Sequence, residues 1–243
     1  MASITINNKN SYTDFDALLI QRDISPPDIK DVYVDIPYLN GDICFTHINN
    51  NKPTYNTRPL TYTFEFVDYP KTALRKKVTL FENWIMSNGE CEIYDDTDVK
   101  YHFVKARPVN CKEAESGFKC TVTVTFKTYP FRVSENYSNA EWDNFCFDTD
   151  YLNPAEYVKT ENKTTSCQFY NYGINDICPE AEFIPDKNSS FDYVVLSNPY
   201  SAPITINRNT TKLNGFILKP GANEFALISG AGTIRLKACE EVI

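Results

Sequence analysis

The sequence lacks the features that mark membrane proteins and nucleic-acid-binding proteins. It has no stretch of about 18 apolar residues, so a transmembrane helix is not expected. It has no run rich in lysine and arginine, and 24 Lys and Arg against 32 Asp and Glu give a formal net charge of −8. Because phosphate binding needs a basic face, nucleic-acid recognition is not expected. The first residues lack a basic region followed by an apolar one, which predicts cytoplasmic synthesis without a secretory signal.

Closely spaced cysteine pairs are also absent. The eight cysteines include no C-x-x-C pair, and without a secretory signal we expect free thiols and not a disulfide framework. Glycosylation needs the secretory route, so the N-x-[ST] sequons are interpreted as loop composition. These sequons begin at Asn136, Asn162, Asn188 and Asn209.

Size and charge distribution predict two domains. Of the 243 residues, 42% are hydrophobic and 14% are aromatic, which is enough for a substantial core. Up to Val133 there are 16 Lys and Arg against 17 Asp and Glu, whereas the remainder has 8 against 15, so the net charge changes from −1 to −7. We therefore predict one domain over residues 1–133 and, over 134–243, a polar linker followed by a second domain.

Alternation of apolar and polar residues predicts strands in the first domain. In "RPLTYTFEFVD" the predicted buried face consists of Leu60, Tyr62, Phe64 and Phe66. In "GFKCTVTVTFKTY" it consists of Phe118, Cys120, Val122, Val124 and Phe126. Each pattern is typical of a half-buried strand.

Between these strands, a helical period predicts one helix over residues 71–87. Pro70 lies where a helix can begin, and Asn88-Gly89 is expected to supply a left-handed residue that ends it. After the helix we predict a strand, a polar turn at residues 95–98 and another strand. The apolar positions with helical spacing are Leu74, Val78, Phe81 and Ile85, with Trp84 beside them.

From about residue 166 onward, short apolar runs alternate with Gly, Pro and Asn clusters, which predicts a β-sandwich. Its stretch "GFILKPGANEFALISGAGTIRL" resembles a phosphate-binding loop only in its glycines. A dinucleotide fingerprint needs a third glycine where Arg235 stands, and the next residues are strand-like. We interpret Pro220-Gly221 and 230–232 as turns that close antiparallel hairpins.

Candidate catalytic and metal-binding residues form no complete motif. Cys44-x-x-His47 is half of a zinc site, and His102 is the other histidine, so a buried thiol and a loop histidine are favoured. A nucleophilic cysteine using either histidine has no local support. The carboxylates of residues 95–98 lack the glycine and terminal glutamate of a calcium loop, which favours a solvated turn. We therefore expect no enzyme, no catalytic residue, no metal and no cofactor.

Three segments together resemble the N-terminal region of distal tail proteins (the Dit family) of long-tailed phages. They are "DIPYLNGDICFT", "YNTRPLTYTFEF", and the predicted helix with "IYDDTDVKYHFVKARP" and "VTVTFKTYPF". The C-terminal "LNGFILKPGANEF" with "GAGTIRL" resembles the galectin-like second domain of the same proteins. In this chain Tyr38 stands where the family often has glycine after the proline, and the usual acidic residue is replaced near Cys44.

The resemblance implies a mainly β, two-domain structural protein of the virion. Its N-terminal domain, a β-sandwich or split barrel with one helix, would form a hexameric ring at the distal tail end. That ring would connect the tail tube protein to the tail-associated hub protein and the adsorption apparatus. The galectin-like domain would project outward, where in some members of the family it holds a receptor-binding protein or other baseplate parts. The alternative is a carbohydrate-binding module that recognises a cell-surface sugar, since rings stack on sugars; a small hydrolase is a third possibility.

Overall fold

The computed structural model describes residues 2–46, 52–98, 100–134, 153–154, 156–161, 163–187, 189–210 and 212–243. The chain divides into two compact units, Met1–Arg132 with Ile243, and Val133–Val242. Strands dominate both, so the prediction of a mainly β protein is confirmed. Most of the linker predicted after residue 134 lies outside the described residues. Within the described ranges, no helix is both long and apolar enough to cross a membrane.

The first unit is built on one curved antiparallel sheet with the strand order β2-β1-β7-β8-β9-β6-β3, and β4 and β5 form a separate hairpin. Its elements are β1 (Ile4–Ile6), β2 (Lys9–Asn10), β3 (Leu18–Ile24), β4 (Tyr33–Val34), β5 (Ile43–Cys44), β6 (Arg58–Val67), α1 (Lys71–Ser87), β7 (Cys91–Asp95), β8 (Tyr101–Ser116) and β9 (Lys119–Thr128).

The strands β6 and β9 form the centre of this sheet, and both predicted apolar faces are buried except at Phe118. Leu60 lies opposite Phe126, and Phe66 lies opposite Cys120, so the two faces form one apolar layer. The prediction was wrong for Phe118, whose side chain is 57% exposed. Phe118 follows Gly117, which has a φ of +66° and belongs to the turn before β9, so the strand alternation does not apply to it.

Helix α1 covers the apolar face of the sheet and coincides with the predicted span of residues 71–87. Its five predicted apolar residues are buried, and Trp84 stacks on Phe15 with the ring centroids 4.5 Å apart. The predicted left-handed end was wrong. Asn88 is extended (φ −74°, ψ 130°), and its side-chain amide donates to the carbonyl of Trp84, so a side chain satisfies the last turn.

Strand β8 is long because it pairs with two different strands. Its first part pairs with β7, and its second part, from Arg107 to Ser116, pairs with β9. Lys105 stands where the pairing changes, with a φ of +53°, and the register shifts again between Pro108 and Asn110. These irregularities bend the strand and curve the sheet around its core.

The second unit contains a three-stranded sheet, β11-β17-β13, and a four-stranded sheet, β12-β16-β14-β15. Strand β10 starts at Arg132 and pairs with β18. The elements are β10 (Arg132–Ser134), β11 (Tyr157–Lys159), β12 (Thr165–Asn171), β13 (Glu180–Pro185), β14 (Tyr193–Asn198), β15 (Ser201–Asn207), β16 (Gly221–Gly230), β17 (Gly232–Lys237) and β18 (Glu241–Val242).

Buried residues of both sheets form one core, as in a β-sandwich. Phe183 and Ile234 come from the three-stranded sheet, whereas Leu196 and Leu227 come from the four-stranded sheet. Along β14 and β17 every second residue is buried in this core, as the short apolar runs predicted. The β-sandwich prediction for this unit is therefore confirmed.

The two glycine turns do not close hairpins, which corrects the sequence interpretation. Strands β16 and β17 belong to different sheets, so Gly230 and Gly232 form the corner where the chain crosses the sandwich. Gly230 has a φ of +84°, and a Cβ atom there would lie 1.9 Å from the carbonyl oxygen of Tyr193. The turn at Pro220-Gly221 links Leu218, which bridges to Ile177, to β16, which pairs elsewhere. Backbone geometry explains these glycines without a phosphate ligand.

Candidate assembly interface

The candidate catalytic and zinc-binding residues do not come together in the described structure. His47 lies outside the described residues. His102 is buried with its ring stacked on Tyr94 at 4.6 Å, and its Nδ1 has no hydrogen-bond partner among the described residues. No three His, Cys, Asp or Glu residues in the described ranges are placed to hold a metal ion. Of the four sequon asparagines, only Asn209 lies within the described residues, in a turn after β15.

The predicted solvated turn at residues 95–98 is instead a paired acidic cluster. Asp95 is buried, and its carboxylate accepts from the Nε of Arg22 at 3.0 Å. Arg22 also pairs with Asp96, and Arg132 pairs with Asp98 at 2.6 Å. Each carboxylate is paired with an arginine, and Arg22 is shared by Asp95 and Asp96, so the cluster links distant parts of the chain. The solvated interpretation was wrong for Asp95, which is buried.

Burial in the first unit keeps two of its cysteines, Cys91 and Cys111, in the thiol form. Burial raises the pKa of the Cys111 thiol to about 12, and burial also raises the pKa of Cys91. The prediction of a buried thiol was wrong for Cys44, which is exposed because it lies on a short hairpin outside the core. Hydrogen bonds from the side chain and backbone of Thr46 lower the pKa of Cys44. The reactive thiol of this unit is therefore Cys44, which lies in an exposed segment.

That segment, residues 25–46, exposes many large apolar side chains, and we call it the arm. Its core is the β4–β5 hairpin, in which Tyr33 lies opposite Cys44 and Val34 lies opposite Ile43. The hairpin is extended by a bond from the Phe45 amide to the carbonyl of Val32 at 2.8 Å. These contacts lie within the arm, and most of its side chains stay exposed, with Pro27 and Thr46 buried.

The base of the arm is fixed to the body of the unit. Buried Arg58, at the start of β6, donates its Nε–H to the carbonyl of Ser25 at 2.6 Å. The amide of Lys30 donates to the carbonyl of Thr54 at 2.7 Å, and Ile29 bridges to Tyr55. Burial lowers the pKa of the Arg58 guanidinium, and the charge of Arg132 lowers it further. The buried Arg58 side chain therefore fixes the first residue of the arm, Ser25, by a hydrogen bond.

The arm exposes an apolar surface on this fixed base. Of the 21 large hydrophobic side chains that the described residues expose, seven lie in these 22 residues. They are Ile29, Tyr33, Val34, Ile36, Tyr38, Leu39 and Phe45. A concentration of exposed apolar side chains on a folded domain marks an interaction site. The best candidate for a functional surface is therefore the arm, which is suited to contact with another protein.

Sequence reasoning noticed the arm only as a family-like segment and missed its exposure. The run "DVYVDIPYL" places two aspartates among apolar residues, and it is too short and lacks the flanking turns for a core strand. Whether such residues are buried depends on what packs over them, and one sequence does not contain that information. Acidic residues interleaved with large apolar ones are the signal that could have identified the arm.

The second unit contains a shallow groove of about 600 Å³ on the four-stranded sheet, with both polar and apolar lining residues, and we call it the polar groove for the side chains that it offers to a ligand. It lies over β12, β14 and β16, and its polar lining includes Gln168, Ser197 and Glu224. Gln168 and Glu224 lie directly opposite each other in the register. This groove offers hydrogen-bonding groups, and it lies on a different unit from the arm.

Comparison with known proteins identifies the fold. No protein-family model matches the sequence, and no curated protein matches it significantly. The Dit protein of phage SPP1, described as a paradigm of hub adsorption apparatus in phages that infect Gram-positive bacteria, superposes with a TM-score of 0.63 and 14% identity. The match covers 98% of this chain and 99% of the SPP1 protein. This chain has the Dit fold.

Two further structures are similar over nearly the whole chain but superpose less well on it. They are the phage P2 baseplate in its activated conformation with Ca, with a TM-score of 0.45, and with Sr, with a TM-score of 0.43. Each is 11% identical, and each match covers 99% of this chain and 98% of the other. The Dit resemblance seen in the sequence is thus confirmed for the fold across both units.

Proposed function

We propose that this chain is a structural hub protein of a phage tail, which forms a hexameric ring at the distal end and joins the tail tube to the baseplate or tail tip. The observation that carries the proposal is the agreement of the whole chain with the SPP1 Dit fold, a hub of an adsorption apparatus. Fold alone does not determine function, so the proposal needs a surface suited to assembly. The exposed apolar arm supplies that surface.

The arm supports assembly because its exposed side chains are costly without a partner. Burial of apolar area contributes roughly 25 cal/mol per Å². Seven large exposed apolar side chains therefore favour a protein contact. A ring requires that one surface of each copy contacts a different surface of the next copy, in a contact that closes on itself. The arm is one such surface, and its fixed base limits the entropy lost on docking.

We also propose that the protein has no enzymatic activity and needs no cofactor. We base this on the surroundings of the titratable residues, which form ion pairs or are buried within the fold. Asp95, Asp96 and Asp98 are paired with arginines, and Cys111 is held as a thiol by burial. In this function the partners are the tail tube protein, the tail-associated hub protein and a receptor-binding protein, and the location is the virion tail tip.

A second candidate function is carbohydrate binding by the second unit, which we propose to have a galectin-like fold. The polar groove with Gln168, Ser197 and Glu224 favours it, because sugars are held by convergent hydrogen bonds. Titration of the full chain with cell-wall glycans tests this function, with Glu224→Ala as the variant. Saturable binding that the variant loses would favour sugar recognition, and absence of binding would remove it.

The hub function is tested by locating the chain in phage particles. Antibodies against the chain, with gold labels, are applied to particles of the phage that encodes it and viewed by electron microscopy. We expect label at the free end of the tail and not along the tube or on the head. Absence of the chain from purified particles, or label elsewhere, would contradict the proposed function.

A further inference from the structure

We propose that the arm of one copy docks on a basic patch of the next copy, and that the patch consists of Lys105, Arg107, Val109 and Lys127. The inference rests on the proposed ring and names the two surfaces that form it. The basic patch lies on the outer face of β8 and β9, in the same unit as the arm. Every copy carries both surfaces.

The basic patch contains two like charges in direct opposition. Arg107 lies directly opposite Lys127 in the antiparallel register, so the two side chains share one face of the sheet. Like charges at opposite positions destabilise a sheet. The ion pairs between described residues include none with Lys105, Arg107 or Lys127. The Nζ of Lys105 lies 5.4 Å from the centre of the Tyr129 ring, so the opposed pair of Arg107 and Lys127 supplies the charge on which the docking depends. An acidic partner would remove this repulsion.

The patch also has an apolar component. Val109 is 50% exposed beside Arg107, and Pro59, the β6 neighbour of Lys127, is exposed as well. The neighbouring row of this face carries Thr61 and Thr125, which contact each other across the two strands. The patch therefore combines basic groups with a small apolar centre, which suits a partner that is both acidic and apolar.

The arm has the complementary composition. It carries four aspartates, Asp28, Asp31, Asp35 and Asp42, and one lysine, Lys30, which gives a net charge of −3. All four aspartates are exposed, and none forms an ion pair with another described residue. Their neighbours on the arm are the exposed apolar side chains, including Tyr33 and Val34. Acidic and apolar groups on the arm thus match basic and apolar groups on the patch.

A second copy of the chain is the partner that this arrangement favours. Every copy carries one arm and one basic patch, so a contact between them repeats from copy to copy and can close a ring. The arm has 22 residues, close to the roughly 20–30 residues per side of a stable protein interface. Within one copy the arm carboxylates form no ion pairs with the patch, so both surfaces remain available to neighbours.

Charge reversal on each surface tests the docking. One variant, Arg107→Glu with Lys127→Glu, makes the patch acidic, and the other, Asp35→Lys with Asp42→Lys, makes the arm basic. Each variant alone places like charges at every contact, whereas an equimolar mixture restores opposite charges at every contact in alternating order. Lys76→Glu with Lys187→Glu is the control, because both lysines are exposed and lie outside the arm and the patch. Circular dichroism checks that all variants fold.

Association is followed by light scattering across protein concentration and salt. We expect each variant alone to need at least about ten times more protein to assemble than the wild type, and the mixture to assemble like the wild type. The control should match the wild type. Unchanged assembly of either variant, or a mixture that fails to assemble, would overturn the docking while leaving the wild-type ring intact. A wild type that remains monomeric at every concentration would overturn the docking as well, whereas the location in phage particles tests the hub function separately.

Discussion

The Nε–H of Arg58 donates to the carbonyl oxygen of Ser25 at 2.6 Å, and this bond joins the sheet of the first unit to the arm. Arg58 is buried, and its guanidinium lies 5.4 Å from the centre of the Phe103 ring. Burying a charged group is costly unless it is paired, so its position here needs a structural reason. Holding the first residue of the exposed arm is such a reason.

Replacement of Arg58 by Met should loosen the arm. Without the donor, the Ser25 carbonyl loses its partner, a change worth about 1–3 kcal/mol. We expect faster amide hydrogen exchange at Lys30 and Phe45, whose amides donate within and at the base of the arm. Exchange is measured by NMR at concentrations where the chain is monomeric, with Lys76→Met as a surface control. Unchanged exchange at both amides in the Met variant would show that Arg58 does not anchor the arm.

Truncation of Trp84 tests the packing of α1 on the sheet. The side chain is 8% exposed, and its ring contacts Phe15 and Phe81 at centroid distances of 4.5 and 5.5 Å. Trp84→Ala should therefore lower the free energy of unfolding by about 3–5 kcal/mol. Trp84→Phe should cost less than half as much, because Nε1 has no hydrogen-bond partner among the described residues. Denaturant titration followed by helical circular dichroism measures both, and a loss under about 1 kcal/mol for the Ala variant would show that Trp84 is not buried.

The corner between the two sheets gives a matched pair of glycine substitutions. Gly230 and Gly221 have similar positive φ angles, +84° and +90°. An added Cβ at Gly230 would lie 1.9 Å from the carbonyl oxygen of Tyr193, whereas at Gly221 it meets nothing within 4 Å. Gly221→Ala should cost about 1–2 kcal/mol through backbone strain alone, and Gly230→Ala more than twice as much. Equal losses in thermal unfolding would contradict the packed corner.

Thiol labelling reports on the arm in solution. The thiolate is the reactive form, and hydrogen bonds from Thr46 lower the pKa of Cys44, so its labelling should begin at a lower pH than that of an unperturbed thiol. Cys111, with a pKa near 12, should react far more slowly at neutral pH. Assembly should protect Cys44 and leave the exposed Cys178 of the second unit unchanged. Mass spectrometry of labelled peptides measures each site, and equal labelling of Cys44 before and after assembly would contradict burial of the arm.

The strand faces and the helix could be predicted from the sequence because their periods are local. Leu60 and Val124 are buried by the alternation of their own strands, and α1 is defined by its own apolar stripe. The end of α1 could not be predicted because the Asn88 side chain, and not a left-handed backbone, caps it. Phe118 was assigned to a buried face because the alternation was extended into a turn.

Features that depend on distant residues were beyond sequence reasoning. Asp95 is paired because Arg22, 73 residues earlier, reaches it across the sheet. Gly230 and Gly232 have positive φ angles, as glycines of a turn often do, but the sequence does not indicate that the strand after this turn joins the other sheet. The candidate interface was missed for the same reason, since exposure of Tyr33 or Val34 depends on the absence of a covering element.

The central claim is that the chain itself carries the contacts that close a ring, and its solution mass tests this most directly. Native mass spectrometry and light scattering would be recorded over a wide range of concentration and salt. We expect a species of about 167 kDa, six times the chain mass of 27.9 kDa, that becomes less stable as salt increases. A chain that remains a 27.9 kDa monomer at every concentration would contradict the claim.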